Sequence, residues 1–141
     1  MKAIKYWLIA ITTLFSVQSY AYLFLVQIIN NTESVCKLDS YDLIHGVLYT
    51  YPSPRLLAGQ SAGFYLDRSG FRGIEIKLNY TCGGKKICFT SHEHLSFISA
   101  AQVSAQLNYA DSGITVRAET QEGSYNRDRG GVVNWFIEYS K

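Results

Sequence analysis

The chain has 141 residues, 48% of them hydrophobic, and a formal charge of only +2. That length suits a single domain around a single core. The surplus charge resides in Lys2 and Lys5; without them the chain is neutral, so a nucleic-acid partner has no electrostatic support.

Both lysines belong to an export leader. Met1-Lys2-Ala3-Ile4-Lys5 is a short positive start, and Tyr6 to Val17 is almost wholly apolar or small. Ser19-Tyr20-Ala21 puts small residues at the positions a signal peptidase reads, so residues 1–21 are expected to be cleaved, leaving 22–141 as one domain. The rival reading is an uncleaved anchor, because Tyr22 to Ile29 continues the apolar run and a membrane span needs about 20 apolar residues. Gln18, Ser19 and Gln27 interrupt that run and no charge cluster follows it. The mature chain is therefore expected to lack a transmembrane segment and to be secreted or periplasmic, in a bacterium. All three cysteines survive cleavage, and an oxidising compartment predicts one disulfide and one spare thiol.

After the leader, the chain reads as strands and turns. The first strand, from Tyr22, ends at Asn30-Asn31. Ser34, Cys36 and Leu38 follow at alternate positions. Tyr49-Thr50-Tyr51-Pro52 projects two rings from one face at a strand end, and Pro52-Ser53-Pro54 and Gly59-Gln60-Ser61 bracket a loop. Phe71 lies between Gly70 and Arg72 in the next loop. Ile74, Ile76, Leu78, Tyr80 and Cys82 then alternate with polar residues, the period of a half-buried strand. The same alternation sets Val103, Ala105, Leu107 and Tyr109 on one face, and Ile114, Val116 and Ala118 on another. Val132 to Tyr139 is a final strand rich in β-branched and aromatic residues. The one helical candidate is a turn near Ser96 to Gln102. Short strands at this spacing predict an all-β, two-sheet antiparallel sandwich of about eight or nine strands.

The glycine pair after Cys82 permits a finer expectation. A two-residue loop at Gly84-Lys85, with glycine first as a type II′ turn requires, sets Cys82 opposite Ile87, Tyr80 opposite Phe89 and Leu78 opposite Ser91. Cys88 then lies on the other face, opposite Thr81, so its sulfur and that of Cys82 point to different faces, which disfavours a Cys82–Cys88 bond. Cys36 can share the inner face with Cys82, so Cys36–Cys82 is the expected bond and Cys88 the free thiol; a bulge would reverse this.

Candidate chemistry is sparse. His92 and His94, two apart on a strand, are weak metal-ligand candidates, with His45 the only other histidine. Cys88 with His92 or His45 is a formal nucleophile–base pair. No GxSxG elbow, P-loop or HExxH occurs and no cofactor is expected. Asn30-Asn31-Thr32 and Asn79-Tyr80-Thr81 match the glycosylation pattern, which matters only in a eukaryotic secretory pathway. Aromatic residues are the more suggestive feature. The chain carries 11 tyrosines, and a ring with a polar tip suits a site half in water. Tyr49, Tyr51, Phe71, Tyr125 and Arg127, all at strand ends or in loops, are the expected contacts with a ligand.

The feature order resembles the aegerolysin type of small β-sandwich. The residues that carry the resemblance are the apolar first strand ending in Asn30-Asn31, the Gly59-Gln60-Ser61 turn and Ser69-Gly70 leading into Gly73-Ile74-Glu75-Ile76. The Gly-Gly hairpin and Ile87-Cys88-Phe89 continue it. Trp135 is alone in the mature chain, where that family tends to have several tryptophans. The resemblance implies a single-domain sandwich, of a kind in which some members bind membrane lipids. The expected function is an exported, non-enzymatic binding module whose partner is a membrane lipid, a glycan or a protein surface. The alternatives are a small secreted enzyme using His92/His94 or Cys88, and a structural part of an envelope assembly.

Overall fold

The computed structural model describes residues 22–94, 100–124 and 128–141. The leader, most of the candidate helical turn, and both Tyr125 and Arg127 lie outside the described residues.

Among the described residues, ten strands form two five-stranded sheets. The first sheet holds β1 (Phe24–Asn30), β3 (Val47–Leu48), β5 (Ser61–Asp67), β9 (Ile114–Gln121) and β10 (Val132–Tyr139) in the order β3-β5-β1-β10-β9. The second holds β2 (Cys36–His45), β4 (Arg55–Leu56), β6 (Ile74–Cys82), β7 (Lys85–His94) and β8 (Gln102–Ala110) in the order β4-β2-β6-β7-β8. The expected sandwich is therefore present. The surplus over the expected strand number comes from β3 and β4, two residues each, which have too few residues to show a period. The pairing of β1 with β10 is parallel, with Ile28 opposite Trp135.

Period-two sequence explains the two-layer build. Along β1 and β6 every second side chain is buried, and β10 repeats the pattern. Phe24, Val26, Phe64, Trp135 and Ile137 of the first sheet meet Ile76, Leu78, Tyr80, Ile87 and Phe89 of the second. Phe89 and Trp135 pack with ring centroids 4.5 Å apart. The indole N–H of Trp135 donates to Ser91 Oγ at 2.8 Å, which satisfies two buried polar groups between the sheets.

The β6–β7 turn is one residue earlier than expected. Gly83 and Gly84 both have positive φ, 56° and 79°, the signature of a type I′ turn, which suits Gly-Gly. Cys82 therefore pairs with Lys85, Tyr80 with Ile87 and Leu78 with Phe89, and Cys88 lies opposite Asn79. The partner shift is two residues, so every side chain keeps its expected face. A Cβ on Gly83 would stand 2.2 Å from the Tyr139 hydroxyl oxygen and 2.7 Å from Ser34 Oγ, so another residue at this left-handed position would displace that hydrogen-bonded pair.

β8 departs from its expected alternation. Cys88 pairs with Tyr109 but Phe89 pairs with Leu107, leaving Asn108 as an extra, bulged residue. The bulge changes the phase of the strand, and Tyr109 moves to the outer face with Cys88. Leu107, opposite Phe89, keeps the face of the half-buried Val103 and Ala105 but is exposed, whereas Tyr109 is exposed on the other face.

Asn30 is fully buried and closes the far end of β1. Its amide donates to the Ser34, Leu56 and Leu57 carbonyls, and its oxygen accepts from Thr32. The first glycosylation pattern is thus a structural turn with its amide nitrogen already occupied.

Candidate functional site

Glu93 organises one end of the sandwich. It is 1% exposed, on the inner side of β7. Its Oε1 accepts from Arg68 Nη2 at 3.3 Å, and its Oε2 accepts from the Gly131 N–H at 2.7 Å. Arg68 belongs to the β5–β6 loop and Gly131 to the β9–β10 loop, so one carboxylate ties two loops to the second sheet. A third close approach adds to this: a Cβ on Gly73 would lie 2.3 Å from the Glu93 carbonyl oxygen. Only glycine lets the β5–β6 loop return that near. The Gly123 N–H donates to the Ala101 carbonyl at 3.1 Å, binding the β9–β10 loop to the start of β8.

The loop fixed in this way presents Phe71. It is 87% exposed, with Arg68 and Arg72 on either side in sequence. Val47, paired with Asp67 at the same end, and Tyr22, beside Gly130, are also exposed. Apolar side chains thus crown this end of the fold, above a root held by the part-buried Arg68–Glu93 ion pair.

The other expected contacts divide. Tyr49 and Tyr51 are exposed, but on the flank where β3 crosses to β4. Their segment is held against β5: the Tyr49 N–H donates to the Tyr65 carbonyl at 2.9 Å, and the Tyr65 N–H donates to Thr50 Oγ1 at 2.8 Å. Tyr125 and Arg127 lie outside the described residues. Phe71 and the tyrosine pair therefore lie on different segments, the first on the β5–β6 loop and the pair between β3 and β4.

The cysteines pair as expected. Cys36 and Cys82 face each other across β2 and β6 and are joined as a disulfide, while Cys88 is free and buried. Burial pushes the Cys88 thiol up; Asp42 adds to this and Lys77 opposes it. A nucleophile needs the opposite shift.

His92 and His94 share the outer face, ring centroids 3.7 Å apart. Glu75 Oε1 lies 3.8 Å from His92 Nδ1, and His45 pairs with Glu75 across β2 and β6. Burial lowers the His92 pKa first, His94 and His45 lower it further, and Glu75 opposes them. Among the described residues, no group of three or more His, Cys, Asp or Glu side chains is placed to hold a metal ion.

In sequence Glu93 lies between those two histidines and carries no motif of its own. Its signal was parity: Ile87 and Phe89 point inward, so Ser91 and Glu93 do too.

No family profile and no curated protein sequence matches this chain. Solved structures do. The lipid binding protein Nakanori superposes with a TM-score of 0.63 at 12% identity, over 84% of this chain and 71% of its own. RahU, solved in complex with a TRIS molecule, gives 0.57 at 15% identity, over 86% of this chain and 98% of its own. The likeness is one of fold. Both neighbours support the small-sandwich architecture that the sequence resemblance implied. Among the described residues, no helix is long and apolar enough to cross a membrane.

Proposed function

We propose that this chain is an exported binding module that docks on a membrane lipid surface through the end of the sandwich bearing Phe71. One observation carries the reading: a phenylalanine 87% exposed, beside arginines, on a loop whose root is fixed by a buried carboxylate. An apolar ring held out in water gains free energy by entering the acyl–headgroup boundary, and an adjacent arginine meets the phosphates there. A fixed loop limits the ordering cost of that step. Nakanori, a sandwich of the same fold, is a lipid binding protein, which favours lipid over glycan or protein surface for this end. Tyr22 and Val47 widen the apolar area, and Tyr49 and Tyr51 extend it down the flank.

Export fits the same account. The Cys36–Cys82 bond suits an oxidising compartment, and the leader pattern of residues 1–21 supplies the route, with the domain beginning at Tyr22.

Co-sedimentation with vesicles of phosphatidylcholine and phosphatidylglycerol tests the proposal. Wild-type protein should pellet with the vesicles. Phe71→Ala removes about 2 kcal/mol of apolar transfer, an affinity loss of about 30-fold, with the melting temperature unchanged because the ring is exposed. Wild-type protein that stays in the supernatant, or a Phe71→Ala variant that pellets equally well, would refute it.

A further inference from the structure

The outer face of the second sheet carries a recess near the β6–β7 turn, at the opposite end from Phe71. It is an open pocket of about 470 Å³ lined by Asp39, Asn79, Thr81, Lys86, Cys88 and Tyr109, among others. Two β-bulges frame it. One falls in β2 between Leu38 and Ser40, at Asp39; the other falls in β8, at Asn108. Bulges re-aim side chains, and these two flank the pocket on opposite sides.

The polar groups are fixed with bonding capacity left over. Asp39 Oδ2 accepts from the Thr81 hydroxyl at 2.5 Å, leaving Oδ1 available. Asn79 Nδ2 donates to Ser40 Oγ at 3.2 Å, leaving its carbonyl oxygen available. Lys86 is exposed, and its backbone N–H donates to Asp111 Oδ2 at 2.7 Å. The same Asp111 carboxylate accepts from the Tyr109 hydroxyl. Tyr109 is thus an exposed ring tethered at its tip, and Cys88 is buried beside it.

We propose that this recess binds a neutral carbohydrate. A pyranose ring offers a C–H face that packs on a tyrosine, and hydroxyls that both donate and accept. Asp39 Oδ1 and the Asn79 carbonyl accept from such hydroxyls, and Lys86 donates to them. A wholly apolar ligand would strand the carboxylate and the ammonium without partners. Their opposite charges give an anion or a cation no net attraction. The site is separate from the Phe71 end and does not depend on lipid binding.

A titration of ¹⁵N-labelled protein with cellobiose, maltose, chitobiose and lactose tests this. At least one sugar should shift the amides of Asn79, Lys86 and Tyr109 saturably. Tyr109→Ala should weaken that binding about tenfold or more. Tyr109→Phe, which keeps the ring and loses the tether, should cost less. Asp39→Ala, at an exposed position, is the second loss-of-binding variant should Tyr109→Ala fail to fold. Phe71→Ala should leave sugar binding unchanged. The proposal is overturned if none of the four sugars binds saturably, if Tyr109→Ala and Asp39→Ala bind as wild type does, or if the shifts map to the Phe71 loop.

Discussion

At the residue scale, the decisive group is Glu93. Its carboxylate is buried, and among the described residues it accepts from one guanidinium and one backbone N–H. Removing one partner of a buried pair leaves an uncompensated charge, which costs more than the pair itself contributes. Arg68→Met should therefore destabilise the domain by about 3 kcal/mol in urea unfolding. A change within experimental error would show that water already solvates the carboxylate. His92 makes a second residue-scale prediction. Its folded pKa lies below the ordinary 6.5, so as pH falls through 6.5 the unfolded chain takes up the proton first. Stability should decline across that window and level off below the folded pKa. His92→Gln should flatten the decline, which thermal melts between neutral and mildly acidic pH would show. A profile as steep as that of wild type would remove His92 as the source.

Elements were legible where alternation is unbroken. Ile74 to Cys82 and Val132 to Tyr139 read correctly because each strand buries every second residue against the facing sheet. The hairpin after Cys82 lies one residue earlier than the sequence predicts because Gly-Gly-Lys offers two admissible turn frames. Both keep the same parity, so the expected disulfide is the same in either frame. Tyr109 could not be read this way. Its face depends on the Asn108 bulge, which arises from how β8 pairs with β7 rather than from its own sequence period. Phe71 was legible as an exposed loop aromatic, whereas the latch beneath it required Arg68, Gly73, Glu93 and Gly131 to meet across the fold. Gly73→Ala tests that meeting at the level of the loop. With no room beside the Glu93 carbonyl oxygen, the β5–β6 loop must shift, and Phe71→Ala added to this variant should then cost little further vesicle binding. A full additional loss from Phe71→Ala would show that the loop keeps its pose without glycine.

At the scale of the whole molecule, the disulfide and the two ends define the design. Cys36–Cys82 closes 46 residues of sequence separation, worth about 4 kcal/mol in the chain-entropy account. Reduction should lower unfolding stability by an amount of that order, and an unchanged midpoint would contradict it. The bond joins β2 to β6 at the Asn30 end, opposite the Phe71 loop, whose root is held by Glu93 instead. Two surfaces result, an apolar crown around Phe71 and a polar recess around Tyr109, on a sandwich that shares its fold with a lipid binding protein. The most direct test of the central claim is the fluorescence of a Phe71→Trp variant. Trp135 is 1% exposed and its emission should not respond to lipid. Adding vesicles of phosphatidylcholine and phosphatidylglycerol should shift the new emission to the blue and protect it from an aqueous quencher. Emission that stays at its aqueous wavelength and remains fully quenchable would contradict the account.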